Sequence, residues 1–446
     1  MTRVAALLVV MATAGLSAQG SVPSPGGVPS QSGARLSSVV GTYCATCHND
    51  RLRSPSGLLL EAFDAGRVAD KPELWARAYR QLQAGAMPPV GSPRPDRAAV
   101  AAALAAIEKA LGAPPRREGA ADEAIATRLA KVLWNAAPDE TLRQEAAHHR
   151  LKDAALERQV RRMLADERAR AFVARFFFPW LQLDTLAAAD PDTKHFPDWD
   201  ASLRDAFAKE TELFLLSQLR EDRDPVELWS AGYTFLNEQL ARHYGVSGVS
   251  GSQFRRVALT APERAGLLGQ GSVLMVTSRH QHGVDAGYTT PATRAKWVRL
   301  HYFGAPLPNG FPGAQPVKPE LPITPQTRTL PAEPCVNCHR NFFPIGYALE
   351  NFDPIGRWRT QDQLGPVDVS GGFVDGTPTN GVVELRHVLL QYPEAFRTTL
   401  VESLITYLST GATPGVPGTP DTLIRARRIL RSTPPRWSAL IAAAVM

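Results

Sequence analysis

The apolar positions along this chain of 446 residues recur mostly at helical spacing. Leu74, Trp75, Tyr79 and Leu82 predict a helix over 72–83, and Leu104, Ile107 and Leu111 predict an alanine-rich helix over 97–111. Ile125, Leu129, Val132 and Leu133 step at i, i+4, i+7 and i+8, as do Leu156, Val160, Met163 and Leu164. Pro138-Asp139 is expected to stop the first of these helices and cap the next. The aromatic and aliphatic stretch 172–183 reads as core. Leu203, Phe207, Phe214 and Leu215 mark a longer amphipathic helix that ends before Pro225, and the segments 385–408 and 421–430 close the chain as helices. The expected fold class is mainly α-helical.

Polar, glycine-rich and proline-rich stretches divide this pattern. Residues 1–20 read as a signal peptide: Arg3 precedes an apolar run from Val4 to Leu16, and Ala18, Gln19 and Gly20 offer a small-residue cleavage region. Residues 21–33, rich in Ser, Pro and Gly, read as a flexible linker. A compact segment follows at 34–112, opening with a helix that carries residues 44–48. A helical domain is expected at 119–250 after the proline-containing stretch 113–118. Residues 251–365 hold a proline-rich segment and a second cysteine motif, and 366–446 form a C-terminal helical domain. The glycine-serine loop 245–251 lacks the strand-turn-helix setting of a phosphate cradle.

Composition excludes some classes of function. Apolar residues make up 44% and charged residues 21%, ordinary for a soluble globular chain. The formal net charge is +6, but Lys and Arg are spread along the chain with no basic stripe or known module, so no nucleic-acid partner is expected. After signal removal no segment is apolar enough for an integral membrane span, which takes about 20 residues. The expected location is periplasmic or otherwise exported.

The chemistry lies in the cysteines. All four fall in two Cys-x-x-Cys-His motifs, Cys44-Ala45-Thr46-Cys47-His48 and Cys335-Val336-Asn337-Cys338-His339. That arrangement is the attachment signature of c-type haem. Two thiols three positions apart on one turn can form thioether bonds to both vinyl groups, and the adjacent His reaches the iron. Two covalently bound c-type haems are therefore expected, with His48 and His339 as proximal ligands. A zinc site would need donors gathered from motifs almost three hundred residues apart in sequence.

A thioether sulfur is a common sixth ligand to such iron. Met87 is the single Met of the segment 34–112 and stands in Gln83-Ala84-Gly85-Ala86-Met87-Pro88-Pro89, where two prolines hold the chain extended. It is the expected distal ligand of the first haem. For the second haem the sixth ligand stays open among His280 and His282 of the Arg279-His280-Gln281-His282-Gly283 loop, Met275, His301, His387 and no protein ligand at all. His148, His149, His195 and His243 lack evident ligand partners and read as structural or solvated.

On Cys44, Cys47, His48, the Gly57-Leu58 pair and the Met87-Pro88-Pro89 loop, residues 34–112 resemble the planctomycete-type cytochrome c domain. The second motif and the residues after it, Pro344-Ile345-Gly346-Tyr347-Ala348-Leu349-Glu350-Asn351-Phe352-Asp353 and Gly356-Arg357-Trp358-Arg359, resemble a set of large exported proteins. Those are built from consecutive domains of unknown function and are often fused to that cytochrome domain. The chain departs from their pattern at Phe343, where they more often have Asp, and in its histidine pair at 280 and 282. The likeness extends upstream through Trp134, Phe196-Pro197-Asp198-Trp199, Tyr233-Thr234-Phe235-Leu236-Asn237, Arg294 and Lys296-Trp297. It sharpens the expected fold far more than the expected function.

The function expected from these residues is electron transfer between periplasmic redox partners, with no catalytic residue assigned. The alternative is a peroxidase- or oxygenase-like enzyme in which an open second haem is fed by the first. A third reading makes 121–270 a partner- or polymer-binding region with the haems as accessories.

Overall fold

The computed structural model describes residues 31–52, 58–112, 121–189, 191, 194–278, 289, 291–306, 343–362, 365–412 and 418–446. The expected signal peptide, most of the linker, the stretch 113–118, most of the proline-rich segment, His280, His282 and the second motif with Cys335, Cys338 and His339 lie outside the described residues.

The chain is mainly helical, as the periodicity predicts. The helices Pro72–Gln83 and Arg97–Leu111 fall where the apolar spacing places them. Proline opens the first, where its missing N–H costs nothing. Asp96 caps the second by accepting from the Ala99 amide at 2.7 Å. Both pack with the helix Gln31–Tyr43 around Leu36, Val39, Val40, Trp75, Ala76, Tyr79, Ala103 and Ile107. Leu423, from the helix Pro420–Ser432 near the other end of the chain, completes this small core.

The body of the molecule surrounds a second, larger core. Phe172, Phe176, Phe177, Trp180, Trp229, Tyr302, Phe396, Tyr407 and Trp437 are buried there in a continuous aromatic cluster. Asp139 caps the helix Glu140–Ala147 through the Leu142 amide at 3.0 Å, as expected, although the preceding helix already ends at Asn135 in a left-handed conformation. The helix Pro393–Thr410 runs through this core, and Trp437–Val445 packs on Asp153–Ala165. A third cluster gathers Phe196, Trp199, Phe207, Tyr244, Met275 and Ile355. Among the described residues no helix is long and apolar enough to cross a membrane.

Three expectations are corrected. The opening helix stops at Tyr43 and does not carry residues 44–48, because the Ala45 amide reaches back to Val40 O in a wide turn and Asn49 holds the next carbonyls. The helix begins at Gln31, inside the stretch expected as linker. The segment 385–408 is two helices, Val382–Leu389 and Pro393–Thr410, parted where proline removes an amide donor. Among the described residues, three two-stranded antiparallel ribbons also stand among the helices. The longest pairs Tyr233–Leu236 with Arg255–Ala258 in the register Tyr233 to Ala258, and the hairpin of Ser370–Gly372 and Pro378–Asn380 packs beside Phe343–Tyr347.

Candidate haem site

The first motif is a single turn after the Gln31–Tyr43 helix. The His48 amide donates to Cys44 O at 2.9 Å and the Cys47 amide to the same oxygen at 3.1 Å, which keeps both thiols and the imidazole on one short loop. Asn49, 7% exposed, fixes this turn by donating to Ala45 O and Thr46 O at 3.2 and 2.8 Å and accepting from the Leu52 amide at 2.9 Å. Sequence reasoning passed over Asn49; its Asx-type side chain directly after the motif was the available signal. Both cysteines are free thiols, Cys44 half-buried and Cys47 exposed. Burial, with Cys47 alongside, pushes the Cys44 thiol up to about 11.

His48 is oriented by its backbone neighbours. Its Nδ1 lies 3.3 Å from Leu58 O, and the Leu60 amide donates to His48 O at 2.8 Å. A carbonyl can only accept, so Nδ1 carries the proton and metal binding falls to Nε2. Burial lowers the imidazole below its ordinary value, against the pull of the Leu58 carbonyl, and so favours the neutral form that ligates.

Met87 is 39% exposed and lies in the loop after Pro72–Gln83. Leu52, Leu59, Met87 and Val90 are the exposed large apolar side chains of the N-terminal segment, an apolar surface of the kind a porphyrin covers. Among the described residues no three His, Cys, Asp or Glu side chains converge as metal ligands would. The donor set at Cys44, Cys47 and His48 fits a c-type haem.

The remaining ligand candidates separate by environment. Met275 is 4% exposed and packs in the cluster with Phe207 and Ile355, while His387 is exposed on Val382–Leu389. His301 is fully buried against Trp180 and Trp297, with ring centroids 5.7 and 4.7 Å away. Neither of its ring nitrogens has a hydrogen-bond partner among the described residues, and burial pulls it down to about 3. His243, read as structural, is so: Nε2 lies 2.7 Å from Ile355 O.

The residues that follow the second motif build a buried scaffold. Arg294, at 0% exposure, donates to Glu350 Oε1 at 3.1 Å, to Phe352 O at 2.8 Å and to Ser278 Oγ at 3.1 Å. Arg359 reaches Glu350 Oε2 at 3.2 Å and Glu350 O at 3.0 Å. Gly346 lies so close to Pro291 O that a Cβ there would collide with it. The Pro-x-Gly and Leu-Glu-x-Phe-Asp signature thus locks the helix Phe343–Tyr347 onto Pro291–Phe303.

A second titratable cluster escaped the sequence. Glu210 accepts from Thr234 Oγ1 and Tyr244 OH, both at 2.6 Å, and is 1% exposed. Burial pushes its carboxyl up to about 7 despite those bonds.

Residues 121–246 match the model of a family described as PSD4, protein of unknown function (DUF1592), and residues 264–362 match that of PSCyt3, protein of unknown function (DUF1588). These matches support the family expected from the sequence. The PSCyt3 match spans the second Cys-x-x-Cys-His motif and the Arg294–Glu350 scaffold, and the PSD4 match spans Glu210 and the aromatic core from Phe172 to Trp229. Residues 34–112 lie outside both matched stretches. No curated protein and no solved structure matches the chain significantly.

Proposed function

We propose that the chain is an exported dihaem c-type cytochrome that transfers electrons between periplasmic redox partners. The observation that carries this reading is the first motif itself, with two free thiols and an imidazole on one turn and Nδ1 of His48 committed to Leu58 O. The cytochrome-like name of the family matched at 264–362, which includes Cys335, Cys338 and His339, supports a second attachment. Haem, when attached, supplies the one-electron chemistry. The chain's own residues do the rest: Cys44, Cys47, Cys335 and Cys338 anchor, His48 and His339 ligate, and Met87 raises the potential of the first centre by offering a thioether.

A second reading, a peroxidase- or oxygenase-like enzyme at the second haem, draws support from the burial of Met275 in the hydrophobic core and the outward position of His387. Mass spectrometry of the exported protein together with pyridine haemochrome quantitation tests the first claim: two adducts are expected, and Cys44→Ser with Cys47→Ser removes one. A single adduct on the wild-type chain overturns the dihaem reading. Resonance Raman spectroscopy separates carrier from enzyme, since two six-coordinate low-spin haems fit a carrier and a high-spin second haem fits an open site.

A further inference from the structure

The two sides of the first haem site are mounted on different cores. Tyr43, Cys44 and Ala45 pack against the small core of the N-terminal helices. The loop that carries Met87 does not: Ala84 belongs to the large core of the body and Ala86 packs against it. Arg94 closes this loop by donating from its two terminal nitrogens to Gly85 O and Pro88 O, the carbonyls that bracket Ala86 and Met87.

The body then braces the closed loop. Gly85 has φ +65, and a Cβ on it would stand 3.1 Å from Tyr392 OH, so a larger residue there would be strained and would crowd that ring. Tyr392 OH donates to Asp375 Oδ2 at 2.6 Å, and its ring packs on Phe303 and Phe373 with centroids 6.3 and 5.3 Å away. Val90 lies against Gly376 and lines a groove of about 260 Å³ with Pro344, Tyr347 and Phe373. Burial works against the charge of Asp375, but the Tyr392 hydroxyl, Thr377 and then Arg94 outweigh it and hold the carboxyl below its ordinary value. Pro344 and Tyr347 follow the second haem motif by only a few residues in sequence.

We propose that Arg94, Tyr392 and Asp375 are positioning residues for Met87, so that the packing of the C-terminal body sets the strength of the axial bond at the first haem. This rests on the reading of Met87 as the distal ligand. An iron held between His48 and Met87 bridges two cores, and any shift of the Ser370–Asn380 hairpin or of Tyr392 is felt at the sulfur. The second half of the protein thereby tunes a centre whose attachment motif lies wholly in the first.

The test uses the full-length protein with its haems attached. The ferric protein is titrated with imidazole, which competes with the thioether, while the thioether-to-iron charge-transfer band is followed. Arg94→Met and Tyr392→Phe should weaken the band and tighten imidazole binding about tenfold, the worth of one hydrogen bond to a charged group. Arg94→Lys, which keeps the charge but not the two-pronged grip, should fall between. Arg162→Gln, which breaks a pair with Asp139 far from the loop, should titrate like the wild type. If Arg94→Met does not fold, Tyr392→Phe decides alone, since it removes one oxygen. Imidazole affinities within about twofold of wild type in the folded variants overturn the proposal. A wild-type protein without the band, or a band that survives Met87→Ala, overturns the ligand reading itself, and so the two failures are told apart.

Discussion

Replacing Arg80 by alanine should cost the folded protein about 3–5 kcal/mol, the penalty for stranding one partner of a buried ion pair. Arg80 Nη2 donates to Glu402 Oε1 at 2.6 Å and to Gly418 O at 2.7 Å, and Nε donates to Glu402 Oε2 at 3.2 Å. Both side chains are 4% exposed. Without the guanidinium, Glu402 keeps, among the described residues, only the Thr422 hydroxyl at 3.3 Å, and its carboxyl, which burial already raises against the pull of Arg80, rises further. The loss is a large share of a total stability of about 5–15 kcal/mol. It should shrink as pH falls, because protonating Glu402 removes the stranded charge. Equilibrium unfolding in guanidinium at pH 7 and pH 5 reads both effects. The double variant Arg80→Met with Glu402→Leu should recover most of the loss, since apolar replacements of buried pairs are often neutral or better. A cost under about 1 kcal/mol for Arg80→Ala, the scale of an exposed pair, would refute the reasoning. So would a double variant as unstable as the single one.

Three further outcomes follow from buried groups. Glu210 holds its proton up to about pH 7 when folded and only to about 4.5 when unfolded, so stability is greatest below pH 4.5 on this account and declines through neutrality, by up to about 3 kcal/mol; Glu210→Gln should flatten that slope in urea unfolding at pH 5 to 8. His243 is lowered to about 4, chiefly by burial, so its contribution is whole above pH 6.5 and is lost as pH falls toward 4; a His243→Gln variant whose acid unfolding matches the wild type would contradict this. Gly346→Ala should destabilise by about 1–3 kcal/mol through the clash with Pro291 O, with thermal unfolding as the measure and an unchanged midpoint as the refutation.

The sequence was most legible where information is local. The helices over 72–83 and 97–111 and the buried stripe Leu156, Val160, Met163 and Leu164 follow from spacing alone. The Cys-x-x-Cys-His motifs and Met87 stand out in the sequence because residue type and order carry the chemistry proposed for them. Partnerships across the chain left no such trace. Glu402 lies 322 positions from Arg80, and nothing in either neighbourhood names the other. Glu210 sits on a helix read as amphipathic, yet Glu210, Thr211 and Gln218 are buried there beside the leucines, because Thr234 and Tyr244 partner Glu210, Gln270 and Ser272 partner Thr211, and Tyr233 partners Gln218. The ribbons of two or three residues are too short to show alternation. The helix end at Tyr43 is set by Asn49, a side-chain bond that apolar periodicity does not report.

Leu423 carries a consequence for how such a chain is made. The core that supports the first attachment motif lacks one wall until residue 423 arrives, so this early segment is completed only after much later residues are made. Its contacts are of very long range, and contacts of that kind form slowly. On the proposed function, haem attachment at Cys44 and Cys47 that preceded the final helices would act on a segment still open on one side. Order of synthesis and order of completion run in opposite directions along this molecule.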